Sequence, residues 1–289
     1  MAFLANLFNE RDLPRAARFY ILYMIKKTQV LRQNARIKLI DQNDLSRSID
    51  PREIAHFSAM ADQWWDPNGK FRALHELNPI RLDWIRKTIC SEYMLDESEM
   101  TPMVSLSILD VGCGGGIISE PIYRMGADVM GIDASENNIQ IATSHAIATG
   151  ISIEYQCTSA EALVKEKKQF DVLLALEVAE HVADLSVFIR ALSDLIKPGG
   201  AVILSTINRT PKSFLFAIVG AEIIMRMLPL GTHRWQKFIK PSELDSVFRD
   251  HSLRIKRITG LIYNPATRSW ALSKDTSVNY IVCAKKEKT

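Results

Sequence analysis

A glycine-rich turn between an apolar strand and a helical pattern is the first part of this chain whose residue types suggest chemistry. The segment Ile108–Gly116 leads from the strand into glycines at positions 112, 114, 115 and 116. Glycine accepts positive φ and has no Cβ, so a ligand can lie directly against such a backbone. A second strand ends in Asp133, 23 positions after Asp110, and doubly wound nucleotide sites place a ribose-binding carboxylate roughly 20 residues on. The two features together predict a nucleotide-like ligand.

The spacing of the glycines separates two classes of cofactor. Dinucleotide enzymes use Gly-x-Gly-x-x-Gly, and the last glycine of that pattern would fall here on Ile117 or Ser119, depending on the frame. The chain has Asp-Val-Gly-Cys-Gly-Gly-Gly instead. This pattern resembles motif I of the class I S-adenosylmethionine-dependent methyltransferases, in which the turn holds the methionine part of the cofactor. The resemblance implies S-adenosylmethionine as the ligand.

Two carboxylates and an imidazole follow the fourth predicted strand. Glu177, Glu180 and His181 are spaced i, i+3 and i+4, so one helical turn would bring them to one face. At the carboxyl edge of a parallel sheet such a set could hold a divalent ion, and its oxygen-rich character favours Mg²⁺ or Mn²⁺ over zinc. In many methyltransferases, however, a similar segment shapes the wall of the cofactor pocket without metal. The residues alone leave both interpretations open.

Alternating strand and helix patterns from Ser107 onward predict the elements that position these residues. Apolar strands lie near 107–112, 128–133, 153–158, 170–178 and 201–207, with helical patterns between them. Such alternation is typical of a parallel doubly wound sheet. Two more strand-like runs, 253–259 and 278–284, have no helix between them and predict an antiparallel finish. The predicted fold class is therefore α/β, a doubly wound, mostly parallel seven-stranded sheet of Rossmann-like type, with N-terminal helices and a helical insertion after strand 5.

Composition and charge are those of a globular protein with one main domain. Of the 289 residues 47% are apolar and 24% are charged, and the net charge of +3 is too small to indicate nucleic acid. The four cysteines form no Cys-x-x-Cys pair and no plausible disulfide framework, which suits a reducing compartment. No uninterrupted apolar run reaches the roughly 18 residues that a membrane span requires.

Residues 1–49 form a basic N-terminal arm that differs from the rest of the chain. Residues 1–40 carry eight Lys and Arg against Glu10 and Asp12, with apolar residues at helical spacing among them. The arm is an accessory helix or disordered start, a helix on an anionic membrane surface, or a mitochondrial transit peptide, which its two acids disfavour. The main domain is predicted to span 50–289, because Asp50-Pro51-Arg52-Glu53 matches an N-cap, a proline at N1 and a capping-box glutamate.

Two further segments belong to the predicted ligand edge. Adjacent tryptophans, Trp64 and Trp65, suit either the core or a lid over the cofactor. An insertion at 208–240 follows the fifth strand, and its apolar stretch 212–229 is interrupted only by Glu222 and Arg226. The stretch is either a helix buried against the sheet or a cap that fits a greasy substrate or a membrane surface. Its place at the ligand edge, where specificity is built, favours the cap.

Several segments, the glycine turn among them, resemble the ubiquinone-biosynthesis O-methyltransferases, over roughly Asp50 to Lys285. They are Glu53–Phe57, Trp64–Asp66, Leu74–Leu82, Asp110–Gly116, Glu177–Val182, Lys197–Gly200, Ser205–Arg209, Gly231–His233, Lys237–Pro241 and Ile258–Pro265. Members of that family methylate a ring hydroxyl of a polyprenylated catechol and, later, of a demethylated quinol. The resemblance implies this activity, with S-adenosylmethionine and Mg²⁺ as cofactors. It also implies a place in the bacterial cytoplasm, peripheral at the inner membrane, or on the matrix side of the mitochondrial inner membrane, among other enzymes of ubiquinone biosynthesis.

The resemblance assigns cofactor contacts to four residues, Arg81, Gly112, Asp133 and Leu176. A guanidinium can fork onto the methionine carboxylate, a glycine allows close approach, a carboxylate accepts both ribose hydroxyls, and a leucine packs near the adenosine. Ser159 stands where many methyltransferases place an acid near the adenine amine, so recognition of the base would rest on backbone.

The family's metal set corresponds to Glu177, Glu180 and His181. Mg²⁺ chelated by the vicinal oxygens of the substrate would make a phenolate available near neutral pH. His233 in the insertion is the candidate general base, with a structural histidine as the alternative. Two other functions compete with this one: a different small-molecule methyltransferase, and a non-catalytic lipid-binding subunit with a methyltransferase-like fold. Affinity for S-adenosylmethionine together with methyl transfer would separate the last from an enzyme.

Overall fold

The ligand edge belongs to a sheet of eight strands in this computed structural model, which describes residues 48–215, 235–264, 266–267 and 269–288. The strands are β1 Ser107–Val111, β2 Asp128–Asp133, β3 Glu154–Cys157, β4 Phe170–Leu176, β5 Ile196–Ile207, β6 Leu253–Asn264, β7 Ser269–Ser273 and β8 Asn279–Lys286. They lie in the order β3-β2-β1-β4-β5-β8-β6-β7. The first five of that order pair in parallel, and β8, β6 and β7 add antiparallel pairs. The predicted fold class is confirmed, with one more strand, β7, at the antiparallel end.

Helices cover the sheet and precede it. They are α1 Pro51–Ser58, α2 Arg72–Tyr93, α3 Ser119–Arg124, α4 Glu136–Thr149, α5 Ala160–Val164, α6 Leu185–Leu195, the single turn α7 Pro211–Ser213, and α8 Pro241–Asp250, with 3₁₀ turns at Ala61–Gln63 and Trp235–Lys237. The predicted N-cap of α1 is confirmed, because the Asp50 side chain accepts a hydrogen bond from Arg52 N at 3.1 Å. The predicted capping box is not formed, because the Glu53 carboxylate contacts His181 instead.

Helix α2 begins earlier than its sequence predicts. Asn78-Pro79 by itself predicts a helix start, because proline favours the first helical turn, but α2 begins at Arg72 and holds Pro79 inside it. An internal proline costs about 3 kcal/mol in a helix. The apolar face of α2, including Leu77, Trp84 and Ile85, is buried, and burial of such side chains contributes roughly 1.5–3 kcal/mol each. Burial therefore outweighs the local preference.

The parallel strands decide where the site can lie. Residues Val172–Ala175 of β4 are fully buried, since β4 is covered on both faces. Because parallel strands share one carboxyl edge, the ends of β1, β2, β4 and β5 place Val111, Asp133, Leu176 and Ile207 side by side. This edge, with the switch of direction between β1 and β4, is where doubly wound sheets bind ligands.

The described residues all belong to a unit that spans Leu39–Thr289. Nearly all of the basic arm, residues 1–47, lies outside the described part, and so does 216–234 of the insertion, which includes His233. The boundaries of the arm at 1–49 and of the insertion at 208–240 stay predictions. Among the described residues no helix has both the length and the apolar character to cross a membrane.

Candidate active site

The turn after β1 requires glycine at two positions. Gly112 has a φ of +69°, and a Cβ there would lie 2.4 Å from Cγ2 of Val178. Gly114 has a φ of +54°, and a Cβ there would lie 2.4 Å from the indole of Trp64. Both φ values are in the left-handed region, which side chains other than glycine rarely adopt. The end of β4 and the 3₁₀ segment thus close directly on the backbone of the turn.

Asp133 ties the end of β2 to the glycine turn. Its Oδ2 accepts from Gly114 N at 3.0 Å, and its Oδ1 accepts from Ser135 N at 2.8 Å and from Asn138 Nδ2 at 3.2 Å. Burial raises the pKa of this carboxyl, and the two backbone N–H groups oppose that effect. Each carboxylate oxygen can accept more than one hydrogen bond, so these bonds leave acceptor capacity for the predicted contact with the ribose hydroxyls.

The tryptophan pair combines the two roles that the sequence left open. Trp64 is 7% exposed, stacks on Phe71 with centroids 3.8 Å apart, and donates from Nε1 to Asn138 Oδ1 at 2.9 Å. It also lines the cavity at the ligand edge. Trp65 donates from Nε1 to the Gly115 carbonyl oxygen at 2.9 Å. The segment between α1 and α2 is therefore core on one side and ligand wall on the other.

Arg81 lies behind the turn. Its side chain is 2% exposed, Nη1 lies 3.3 Å from Glu177 Oε1, and Nη2 donates to Asn78 Oδ1. Its Nε has no hydrogen-bond partner among the described residues. Leu77, one turn earlier on α2, lines the cavity, and Arg81 is not part of the described wall. The predicted contact between Arg81 and the cofactor carboxylate therefore stays a prediction.

A second buried charge lies near that guanidinium. Burial raises the pKa of Asp110 to about 7, although a hydrogen bond from Ser119 and the charge of Arg81 both lower it. The Ser119 hydroxyl donates to Asp110 Oδ2 at 2.6 Å. This bond joins the end of β1 to the start of α3, so it links the two elements on either side of the glycine turn.

The three candidate metal ligands face different partners. Glu177, with a φ of +55°, accepts from the Ser205 hydroxyl at 2.6 Å on the oxygen that faces Arg81. Glu180 is 3% exposed and accepts from the Thr206 hydroxyl at 2.7 Å, and burial raises its pKa.

His181 turns the other way, with Nδ1 3.1 Å from Glu53 Oε2. In the described part of the chain no group of three or more His, Cys, Asp or Glu side chains is arranged to hold a metal ion. The residues that the resemblance assigns to magnesium thus do not fit the ion in this arrangement.

One cavity of about 690 Å³ connects these features. Its first part is lined by Gly112, Asp133 and Leu176, three of the four residues whose contact with the cofactor stays a prediction. Ser159 also lines it, and its hydroxyl caps α5 by accepting from Ala162 N at 3.1 Å. The cavity then continues to an apolar part whose wall includes Phe57, Val182, Ile207, Leu261, Tyr263 and Trp270. A ligand bound at the glycine turn would therefore share one space with an apolar second ligand.

Both ends of the insertion meet beside this cavity. Trp235 donates from Nε1 to the Thr210 carbonyl oxygen at 3.1 Å, and Ile239 N donates to the Ile207 carbonyl oxygen at 3.0 Å. Lys212 lines the cavity and pairs with Asp275 at 2.6 Å. The chain therefore leaves the sheet and returns to it at the apolar end of the cavity.

Some residues of the site had no signal in the sequence. Asn138 holds both Trp64 and Asp133, but a polar residue in the first turn of a helix is common and predicts nothing by itself. Glu53 was assigned a local capping role, yet it reaches His181, 128 residues away. Only the folded arrangement brings such pairs together.

The class of the protein follows from the fold and from two comparisons. The family model of a methyltransferase domain matches residues 109–204, which run from within β1 to within β5. The fold is similar to that of magnesium protoporphyrin IX methyltransferase from Synechocystis PCC 6803, solved with bound SAH, at 20% identity and a TM-score of 0.57 over 81% of this chain and 97% of that chain. The same protein with bound SAM gives 18% identity and a TM-score of 0.53 over 84% and 100%. The chain is an S-adenosylmethionine-dependent methyltransferase of class I fold.

Sequence similarity defines the family more narrowly. The chain is 49% identical to the ubiquinone biosynthesis O-methyltransferase of Parvibaculum lavamentivorans over 239 residues, which cover 83% of this chain and 94% of that protein. It is 50% identical to the enzyme of the same name from Ruegeria pomeroyi over 238 residues, which cover 82% and 96%. The chain belongs to the ubiquinone biosynthesis O-methyltransferase family, and the resemblance drawn from its motifs is confirmed.

Proposed function

We propose that this protein transfers the methyl group of S-adenosylmethionine to a ring hydroxyl of a polyprenylated catechol and of a demethylated quinol in ubiquinone biosynthesis. The observation that carries the proposal is the single cavity, which joins the glycine turn and Asp133 to an apolar second part in a chain of this family. A nucleoside-containing cofactor fits the first part by its donors and acceptors. An apolar, ring-bearing acceptor fits the second.

Bound S-adenosylmethionine would supply an activated methyl group on a sulfonium sulfur. The chain's part is to hold both reactants in one water-poor space, so that most of the rate comes from positioning. Asp133 fixes the ribose end, and the backbone at Gly112 lets the cofactor lie close to β1. Leu176 ends β4 at the boundary with the apolar part of the cavity. That boundary is where an acceptor oxygen would meet the methyl group.

The test uses purified protein, S-adenosylmethionine labelled in its methyl group, and a catechol carrying one isoprene unit. We expect label in the ring ether of the product and cofactor binding measurable by calorimetry. Binding without transfer to the catechol would favour a different small-molecule acceptor. The absence of both cofactor binding and methyl transfer would favour the non-catalytic lipid-binding subunit.

Magnesium is a separate proposal that rests on the resemblance alone. In the described arrangement Glu177 faces Arg81 and His181 faces Glu53, so these side chains do not fit the ion as they stand. The same assay in excess chelator tests the ion: loss of turnover with unchanged cofactor affinity would restore the metal assignment. Glu180→Gln should then copy the effect of chelator.

We also propose that the enzyme works at a membrane surface, with the insertion at 208–240 as its contact. A polyprenyl chain stays in the bilayer, because each buried CH₂ contributes about 0.8 kcal/mol. Phe214 and Leu215, the last described residues before the undescribed part, are 47% and 55% exposed beside the cavity. His233 remains the candidate general base in that insertion, as a prediction from the sequence. We propose the same peripheral location for the enzyme and, from the resemblance alone, contacts with other enzymes of the pathway.

A further inference from the structure

The apolar end of the cavity has a polar pair in its wall. In the sheet, Leu261 of β6 lies opposite Asn279 of β8, and Tyr263 of β6 lies opposite Trp270 of β7. Directly opposed residues of antiparallel strands point to the same face, and alternate residues of one strand share that face as well. Asn279, Leu261, Tyr263 and Trp270 therefore present their side chains on one surface, and all four line the cavity.

Two atoms of this surface lack hydrogen-bond partners. The Trp270 Nε1 and the Asn279 Oδ1 are buried and have no partner among the described residues. Other buried side-chain atoms without partners occur in the described part, but none of them belongs to a residue that lines the cavity. Leaving a buried polar atom unpaired is unfavourable, so these two atoms are expected to bind a group that enters the cavity.

The two atoms are of opposite kinds. The indole N–H can only donate, and the amide oxygen can only accept, so two different oxygen substituents of one ligand can satisfy them. The neighbouring side chains Leu261 and Tyr263 are suited to an apolar ring or its substituents. The complementary ligand is therefore an aromatic ring with oxygen substituents.

The position of Asn279 shows which oxygen it can contact. Asn279 lies on β8, two strands from Leu176 on β4, and neighbouring strands are about 4.8 Å apart, so roughly 10 Å separates their backbones. The methyl group is delivered near the end of β4, as proposed above. An oxygen at Asn279 is then on the far side of the ring from the oxygen that is methylated.

We infer that Asn279 and Trp270 form a subsite that recognises oxygen substituents of the acceptor other than the oxygen that is methylated. The inference rests on the proposed function and explains how the enzyme could bind its two acceptors, the catechol and the quinol, with different affinity. A catechol carries two neighbouring oxygens, so when one meets the methyl group the other lies beside it. A quinol also carries an oxygen across the ring, so the subsite favours the quinol.

The experiment compares two acceptors with one isoprene unit each, a catechol and a demethylated quinol kept reduced under nitrogen. The variants are Asn279→Leu, close in volume to asparagine, and Trp270→Phe, which keeps a ring without the N–H. We expect kcat/KM for the quinol to fall about tenfold in each, since one such hydrogen bond corresponds to about 1.4 kcal/mol, and kcat/KM for the catechol to change less than about threefold.

Controls separate this role from a general defect. Asn264→Ala removes an exposed asparagine of the same β6–β7 hairpin and should leave both acceptors unchanged. Affinity for S-adenosylmethionine and the melting temperature should stay near the parent values in Trp270→Phe. Equal losses on the two acceptors, or no loss on either, would overturn the inference.

A binding measurement keeps this outcome distinct from failure of the proposed function. Calorimetric affinities for quinol and catechol are measured with S-adenosylhomocysteine bound, where no transfer is needed. If the parent protein methylates neither acceptor, the proposed function fails. In that case a loss of affinity for the quinol alone in the two variants would still support the subsite. An equal loss of affinity for quinol and catechol, or no loss for either, would refute it.

Discussion

The indole of Trp65 lies flat on the imidazole of His145, with ring centroids 3.5 Å apart and planes 4° apart. His145 Nδ1 lies 2.6 Å from Oε1 of Glu120, a glutamate that is 3% exposed on α3. Trp65 also donates to the carbonyl of Gly115. One indole thus connects the segment before α2 to the glycine turn and, through His145, to α4. The side chain of Trp65 positions the turn on which the cofactor would lie.

Trp65→Phe should weaken cofactor binding through this contact. The phenyl ring keeps the stacking on His145 but cannot donate to the Gly115 carbonyl, which loses about 0.5–1.5 kcal/mol of hydrogen bonding. We expect the dissociation constant of S-adenosylmethionine to rise about three- to tenfold by calorimetry. Trp84→Phe is the matched control, because Trp84 Nε1 donates to Thr259 Oγ1 at 3.0 Å outside the cavity. Equal affinities in the two variants would contradict a role for Trp65 in the turn.

Asp133→Ala should reduce cofactor affinity by roughly 2–4 kcal/mol, because charged hydrogen bonds contribute about 1.5–3 kcal/mol each and two to the ribose would be lost. The change also removes the acceptor for Gly114 N and Ser135 N, so some stability should be lost too. Asp128→Ala, at the exposed start of the same strand, should change neither quantity much. Unchanged calorimetric affinity in Asp133→Ala would refute the ribose assignment.

Gly112→Ala should lower the free energy of unfolding by more than the strain of a positive φ alone would. Gly150 has a similar φ of +72° with no atom within 4 Å of its would-be Cβ, so Gly150→Ala measures the cost of the angle, about 1 kcal/mol. Gly112→Ala adds the clash with Val178 and should cost about 1–3 kcal/mol more in urea unfolding. Val178→Ala in the same chain should recover part of that difference. Equal costs at the two glycines would remove the clash from the explanation.

The raised pKa of Asp110 predicts a specific pH dependence of stability. Its pKa is about 7 in the folded protein and about 3.9 in an unfolded chain, so between those values the folded state holds a proton that the unfolded state has lost. The free energy of unfolding should therefore fall as pH rises from about 4 to 7, by up to about 1.4 kcal/mol per pH unit. Asp110→Asn should flatten this part of the curve in the cofactor-free protein.

Asp171 gives the control of opposite sign. Burial alone would raise the pKa of Asp171, but hydrogen bonds from Lys197 and Ser107 lower it. A lowered folded pKa stabilises the protein above about pH 4 and loses that effect as pH falls. Asp171→Asn should therefore reduce stability at pH 7 and matter less at low pH. The same slope in Asp110→Asn as in the parent would contradict the assignment to Asp110.

The membrane proposal predicts salt-sensitive binding to anionic liposomes. Ile218→Asp combined with Ile223→Asp, within the insertion, should lower co-sedimentation and spare activity on a water-soluble catechol. Basic residues of the arm would add about 1 kcal/mol each near an anionic surface, so binding should weaken at high salt. Met94→Asp with Met100→Asp places the same charges on highly exposed sites elsewhere and should leave binding near the parent level. If the insertion variant sediments like the parent, the arm becomes the candidate contact.

Local pattern was sufficient to predict the elements that form the cofactor edge. The strand before Gly112, the strand that ends at Asp133, and the start of α1 after Asp50 all follow from hydrophobic period, turn residues and capping. Local preference failed where tertiary burial opposed it, as in α2, which contains Pro79. It also missed β7, because a five-residue run with only Trp270 and Leu272 as large apolar residues carries too weak a strand pattern.

The polar contacts of the site could not be derived in this way. Glu53 precedes the first strand and His181 follows the fourth, so no local pattern in the sequence pairs them. The polar atoms of Trp270 and Asn279 suggest a role only because both residues line the cavity. The metal assignment shows the same difference. Spacing along a helical turn placed Glu177, Glu180 and His181 on one face, whereas the chain around Glu177 has a positive φ and is not a helix there.

The hydrogen bond between Trp235 and Thr210 has a consequence for how such a chain can evolve. It connects the two ends of the insertion to each other beside β5, so for the sheet the residues between them are a loop whose ends are already joined. Each doubling of a loop's length raises the entropy cost of closing it by only about 0.6 kcal/mol. Lengthening, shortening or exchanging this loop should therefore leave the folding of the sheet nearly unchanged, which allows the acceptor side of the enzyme to diversify while the cofactor side is kept.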